Sequence, residues 1–274
     1  MFYLIISALF IDIVIWQTVP FQTFDVLYMI SFGLLINILI LKLKVSLKLL
    51  LAITCICSSF LLQNIFNYRF NIPDIQLQNT NCAQFNWFSI FEFRRCFIDG
   101  WFPLFPWLGI AILGQVIAQE SDLIFKHKNL VKWSSLFLFL IFGIILINKE
   151  LVSPEREGYL ELFYPPSLFF IFFELSFILL LFSQVYNLKC INSPKLKFLG
   201  LVGRKSLFIY IFHTFVISFL FQNYFSHQTP VLFSAITLLF LFCCYLLTFI
   251  VESLEIKNNL KFIPVPLKAI LGLK

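Results

Sequence analysis

Eight apolar stretches constrain this chain more than any other feature. They cover residues 2–19, 26–41, 49–66, 102–118, 133–147, 167–186, 206–225 and 231–251. At about 1.5 Å of rise per residue, each is long enough, or nearly so, to cross a ~30 Å hydrocarbon core as a helix. Hydrocarbon offers the backbone no hydrogen-bond partner, so the spanning segments have to bond internally. The pattern therefore predicts an all-α, polytopic integral membrane bundle of about eight helices. Composition agrees: 60% of the 274 residues are hydrophobic and 12% are charged, against roughly 25% charge in a soluble domain. Residues 262–273 are too short to span and contain Pro264 and Pro266, which reads as an interfacial tail. With no linker or repeat, residues 1–274 form one membrane domain, with an outer loop at 67–100 and a cytoplasmic tail at 252–274.

Charge then orients the spans. The link after the second span carries Lys42, Lys44 and Lys48 with no acid. The link after the fourth has Lys126, Lys128 and Lys132 against Glu120 and Asp122. The link after the sixth has Lys189, Lys195, Lys197, Arg204 and Lys205 with no acid, and the tail adds Lys257, Lys261, Lys268 and Lys274. The alternate links are poor in base: Asp25 alone, then Lys149 and Arg156 among four glutamates, then His227. By the positive-inside rule both termini face the cytoplasm. This distribution accounts for the net charge of +6 without a nucleic-acid partner. Residues 1–19 lack a basic leader and a small-residue cleavage site, so they are expected to stay as a helix. The bilayer is the first partner, and a multi-pass protein of the cell membrane, the bacterial inner membrane in particular, is the expectation.

Within the fourth span, residues 100–114 read GWFPLFPWLGIAILG. Proline has no N–H and biases the residue before it away from the α region, so 102–107 cannot begin as an ordinary helix. Irregular backbone at a membrane boundary is buried in protein or lines a watery cavity, which makes this the mouth of a site. The alternative is an interfacial belt, where Trp and Pro gather at helix ends. Charge counting puts the segment on the outer face, together with Tyr164, Pro165, Pro166 and Ser167 at the head of the sixth span. Two proline-marked helix starts on one face could frame a pocket whose N-termini favour an anionic or carbonyl oxygen. The outer loop holds Cys82 and Cys96, which could pair in an oxidising compartment. Histidines are scattered at His127, His213 and His227, so no metal site is expected.

Three ionisable residues fall inside spans: Asp12, Glu174 and His213. Such charges cost roughly 2.5–3.5 kcal/mol on insertion scales and invite a functional explanation. A carboxylate beside an imidazole suits general acid–base work; a neutral pair bridging two helices is the structural alternative. Ser206, Tyr210 and His213 are three to four residues apart and share a helical face. Arg204 and Lys205, just before them, suit either the phosphates of a cytosolic acyl-CoA or plain positive-inside anchoring. Asn37, Gln115 and Ser176 read as hydrogen-bond glue between helices.

Three blocks in order, GWFPLFPWLGIAILG, YPPSLFFIFFEL and LVGRKSLFIYIFH, resemble the heparan-α-glucosaminide N-acetyltransferase catalytic-domain family. Residues 24–33, FDVLYMISFG, resemble a family helix reading roughly FGILHFIG. The resemblance implies transfer of acetyl from acetyl-CoA to a sugar amine or related glycan acceptor across the membrane. It implies a catalytic role for His213, and a substrate entrance of Asp99, Trp101, Pro103, Pro106, Trp107, Tyr164 and Ser167, with Ser206 and Tyr210 deeper. Glu174 is a catalytic candidate by its place inside a span, in a helix that is mostly apolar in the family. Arg204 and Lys205 would hold the donor, and no metal is implied. One departure qualifies this expectation. Family members begin with an Arg-Gly helix followed by the catalytic histidine, and residues 2–19 contain neither Arg-Gly nor His. Tyr28 stands where the family helix has its own His. The chain is thus expected to start beyond that helix, with His213 the family-aligned imidazole that remains. The competing expectation is a non-catalytic membrane protein, a truncated remnant or a small-solute or lipid carrier. A homo-oligomer is compatible with either.

Overall fold

The computed structural model describes residues 1–21, 23–66, 94–147, 166–185, 197–221 and 230–256. Most of the outer loop, Tyr164, Pro165, His227, Cys82 and the tail beyond 256 lie outside the described residues. Every regular element among the described residues is helical. These are α1 (Phe2–Phe10, continued by a π-helical turn, Ile11–Trp16), α2 (Val26–Leu39), α3 (Val45–Ile65), a π-turn at Arg95–Asp99, and α4 (Leu104–Gln119). Then come α5 (Ser121–Lys126), α6 (Lys128–Ile147), α7 (Leu168–Val185), α8 (Lys197–Arg204), α9 (Ser206–Val216, continued by a π-turn, Ile217–Phe221) and α10 (Pro230–Ile256).

A helix lies on each of the eight apolar stretches. Four are long and apolar enough to cross a membrane, by length and composition: Val45–Ile65, Lys128–Ile147, Leu168–Val185 and Val231–Ser253. The other four, Phe2–Trp16, Val26–Leu39, Leu104–Gln119 and Ser206–Phe219, are shorter apolar helices. Large apolar side chains such as Leu130, Phe137, Ile144, Val231 and Leu238 are exposed. A soluble monomer rarely exposes so many large apolar side chains, whereas a surface that meets hydrocarbon has no need to hide them.

The chain divides into two compact units. One consists of Met1, Tyr3–Ile5 and Thr18–Leu188; the other of Phe2, Ile6–Gln17 and Lys189–Lys274. In the first, α2 and α4 run parallel in constant register. Phe102 N–H donates to Phe24 O at 3.0 Å, a Cβ on Gly33 would sit 3.2 Å from Ala111 Cβ, and Gln115 Nε2 donates to Asn37 O at 3.0 Å. Asn37 Nδ2 also donates to Ala111 O at 3.1 Å. These two amides work between helices, as the sequence predicts. Ser176 does not: its hydroxyl donates to Phe173 O of its own helix at 2.7 Å, because a serine on α7 reaches its own preceding turn more easily than a neighbour.

Antiparallel α3 closes against α4 where a Cβ on Gly109 would be 2.6 Å from Ala52 O, so only glycine lets the two backbones approach this closely. At the far end of α2 and α4, Lys48 of α3 is 0% exposed. Its Nζ donates to Leu41 O at 2.8 Å and Gln119 Oε1 at 2.9 Å. Those acceptors sit at the C-terminal ends of two parallel helices, where the macrodipoles favour a cation by roughly 0.3–1 kcal/mol each. A second antiparallel pair, α6 and α7, is zipped by offset rings: Phe139–Phe173 with centroids 4.5 Å apart, Phe139–Phe177 at 5.5 Å and Phe142–Phe172 at 5.3 Å.

In the second unit the π-turns of α1 and α9 meet, Ser218 Oγ donating to Ile15 O at 3.2 Å. A π-turn widens the helix and leaves carbonyls for such side-chain donors. Phe212 stacks on Phe240 of α10 at 6.2 Å. Arg204 and Lys205, at the α8–α9 junction, reach Glu252 of α10 at 3.2 and 3.4 Å.

Candidate functional site

The proline-rich segment folds as an irregular wall laid against the head of α2. Asp25 caps α2, its Oδ1 accepting from Val26 N–H at 2.6 Å, and is 3% exposed. Just before it the chain is strained: Gln17, Phe21 and Phe24 take left-handed φ of 54°, 66° and 40°. Bulky side chains in that region cost of order 1–3 kcal/mol each and persist only where surroundings over-determine them. Two main-chain bonds do so here, Trp101 N–H to Thr23 O at 2.9 Å and Phe102 N–H to Phe24 O at 3.0 Å.

Gly100 makes this clasp possible. Its N–H closes the π-turn on Arg95 O at 2.9 Å, and a Cβ there would fall 2.5 Å from that oxygen and 2.8 Å from Phe24 Cβ. Pro103 is buried, and Phe105 is non-helical (φ −101°, ψ 118°) ahead of a cis bond to Pro106. Regular helix in α4 therefore begins only after Pro106, in agreement with the expectation that 102–107 could not start as ordinary helix. Trp107 packs on Phe102 with centroids 5.3 Å apart, and Trp101 is 38% exposed. The parallel register sets Tyr28 level with Pro106. Tyr28 is fully buried, with Phe21 at 4.6 Å and Phe24 at 5.8 Å.

Trp101, Pro103, Pro106 and Trp107 are thus brought together in the first unit. Asp99 ends the π-turn beside them. Tyr164 lies outside the described residues. Ser167 Oγ accepts from Phe170 N–H at 3.2 Å, so its hydroxyl caps α7. Glu174 lies on α7 in the same unit, half-buried. The remaining candidates belong to the second unit. Tyr210 meets His213 edge-on with centroids 4.9 Å apart, and Ser206 opens α9 on an exposed face. Arg204 and Lys205 hold Glu252, and Asp12 is fully buried in the α1 π-turn.

Sequence reasoning missed the α2 side of the wall: Thr23, Asp25 and Arg95 are all buried there. A clue was available in Asp25, an N-cap residue type set directly before an apolar run.

A family model described as heparan-alpha-glucosaminide N-acetyltransferase, catalytic, matches residues 1–152, more than half of the chain. The chain belongs to this family. No curated protein and no solved structure matches it. The matched region contains the whole clasp, from Phe24 through Gly100 to Gly114. The blocks at 164–175 and 201–213 fall beyond it. Family membership and the four long apolar helices make this a membrane acetyltransferase-like protein. Chemically, the wall offers a helix start at Pro106, flanking indoles and a buried carboxylate, a setting suited to a polar acceptor held against aromatic faces.

Proposed function

We propose that the protein moves acetyl from acetyl-CoA to a sugar amine or a related small-molecule or glycan acceptor. The observation that carries this reading is the family match over residues 1–152, which encloses the clasp. The acceptor nitrogen attacks the thioester carbonyl carbon and gives a tetrahedral oxyanion. The nitrogen loses a proton to a base, the C–S bond breaks, and CoA leaves with that proton as its thiol. His213 is assigned as the base and Glu174 as a second acid–base group. Trp101, Pro103, Pro106, Trp107 and Asp99 are assigned to the acceptor entrance on the first unit, with Tyr164 and Ser167 at the head of the sixth span. Ser206 and Tyr210 are assigned to acceptor binding on α9 of the second unit.

Of the two cations assigned to the donor phosphates, Arg204 is the freer. Its side chain is 55% exposed, whereas that of Lys205 is 1% exposed against Glu252. The charge pattern supports eight spans with both termini cytoplasmic and the clasp outside; a bacterial inner membrane is the compartment assigned to it here. The alternative, a non-catalytic carrier, is favoured by Tyr28, a buried aromatic where the family helix has a His. Membranes containing the protein, supplied with radiolabelled acetyl-CoA and a panel of amino sugars, decide between them. Transfer is expected, and His213→Ala should lower it by about 10²–10⁴-fold. Unchanged turnover removes His213 from the mechanism, and no transfer to any amine removes the enzyme reading.

A further inference from the structure

The seam between α2 and α4 holds polar atoms that the mechanism leaves unused. Asn37 and Gln115 each give an amide N–H to a main-chain carbonyl of the opposite helix, at 3.1 and 3.0 Å. A carbonyl only accepts, so it dictates that each amide nitrogen faces it and each amide oxygen faces away. Both oxygens, Asn37 Oδ1 and Gln115 Oε1, are buried with no hydrogen-bond partner. Among apolar helices nothing in a lipid can supply the missing hydrogen, so the closed seam carries an unrelieved cost. One turn further along, Lys48 uses two of its three N–H groups on Leu41 O and Gln119 Oε1. From the Leu41 end toward the Thr23 end, the seam therefore offers a cation and then two carbonyl-type acceptors.

An acyl-CoA presents the complement in the same order: phosphates, then an arm with two secondary amides, each an N–H donor, then the thioester. We propose that the α2–α4 seam binds the amide-bearing arm of the donor, Asn37 Oδ1 and Gln115 Oε1 accepting its N–H groups while Lys48, in place of Arg204 and Lys205, faces its phosphate end. This rests on the acetyltransferase reading above. Because both oxygens are closed off, the arm reaches them as α2 and α4 part at this level, between the clasp at one end and Lys48 at the other. Parting gives up the two amide N–H bonds across the seam. The arm's amide carbonyls take those N–H groups while its own N–H groups meet the two oxygens, which favours the occupied seam over an empty open one.

The test uses the full chain in lipid nanodiscs and two probes that cannot be turned over. Desulfo-CoA carries the arm, and adenosine 3′-phosphate 5′-diphosphate keeps the phosphates but lacks it. On the unaltered protein desulfo-CoA should bind about tenfold more tightly, the worth of two modest hydrogen bonds. In Asn37→Leu/Gln115→Met that ratio should fall to about twofold or less. The variant loses two N–H bonds across the seam together with two orphaned oxygens, so its melting temperature is recorded to show that it is folded. A ratio unchanged in the double variant overturns the inference; should the double variant not fold, Gln115→Met alone is read in the same way. Equal binding of the two probes to the unaltered protein overturns it alone and leaves the donor reading standing. Binding of neither overturns the donor reading as well.

Discussion

Gly100→Ala is the sharpest perturbation of the clasp. The added methyl would lie 2.5 Å from Arg95 O and 2.8 Å from Phe24 Cβ. Neither neighbour is the far end of a flexible side chain: one is main chain, the other the root of a residue already held at φ 40°. Relief requires the π-turn or the left-handed Phe24 to move. Overpacking of this kind costs about 1–3 kcal/mol. If the pairing of 23–24 with 101–102 also opens, two hydrogen bonds add about 0.5–1.5 kcal/mol each. With both terms the overall loss is about 2–6 kcal/mol. The matched control is Gly114→Ala in the same motif, where a Cβ meets nothing within 4 Å. That change should be neutral or stabilising by up to about 1 kcal/mol, since alanine favours helix over glycine. Unfolding in detergent, followed by tryptophan fluorescence, reports both, because Trp101 and Trp107 flank the clasp. Gly100→Ala as stable as the parent, or Gly114→Ala equally damaged, would refute the steric argument.

Lys48→Met keeps the aliphatic stem but removes the ammonium that joins the ends of α2 and α4. Losing two charge-assisted bonds while Leu41 O and Gln119 Oε1 stay behind should cost about 2–3 kcal/mol in the same unfolding assay; no change would mean that the cation merely balances its own burial. Glu252→Gln should cost about 3 kcal/mol by stripping the carboxylate from buried Lys205. Arg204→Gln, on the exposed side of the same cluster, should stay within about 1 kcal/mol and fade in high salt. Equal losses from these two variants would contradict the burial contrast between Arg204 and Lys205.

The helices were legible in the sequence because runs such as 49–66 and 231–251 are uniform in hydropathy, and hydropathy is what hydrocarbon selects. The break at 102–107 was legible as well, since Pro103 and Pro106 act through local sterics. What stayed hidden depends on which residues meet across the fold. Lys48 reads as one of three cytoplasmic anchors, and only the register of α2 with α4 shows it buried between two helix ends. Phe21 and Phe24 carry no sign of left-handed backbone, which side chains rarely adopt and which the pairing with Trp101 and Phe102 imposes. Arg204 and Lys205 look alike in sequence, and Glu252, nearly fifty residues on, makes them different. At the candidate site the same limit applies: the proline pair announced one wall, whereas Asp25 and Thr23 became part of it through long-range main-chain bonds.

The parallel arrangement of α2 and α4 links these details into one electrostatic account. Antiparallel neighbours cancel their dipoles; parallel ones add, leaving positive potential at the Thr23 end and negative potential at the Leu41 end. The chain meets each end with the opposite charge, Asp25 on the first and Lys48 on the second. The compensation is incomplete at the Thr23 end. Asp25 caps α2 through Val26 N–H, while regular helix in α4 starts behind Pro106, with no side-chain cap on Pro103, the residue that precedes α4. Antiparallel α3 brings its C-terminal end to the same level and offsets part of this field, so the uncapped start of α4 is where the positive end of the pair stays most open. A carbonyl oxygen turning into an oxyanion would be stabilised by the open N–H groups at that start, with buried Arg95 in the same clasp.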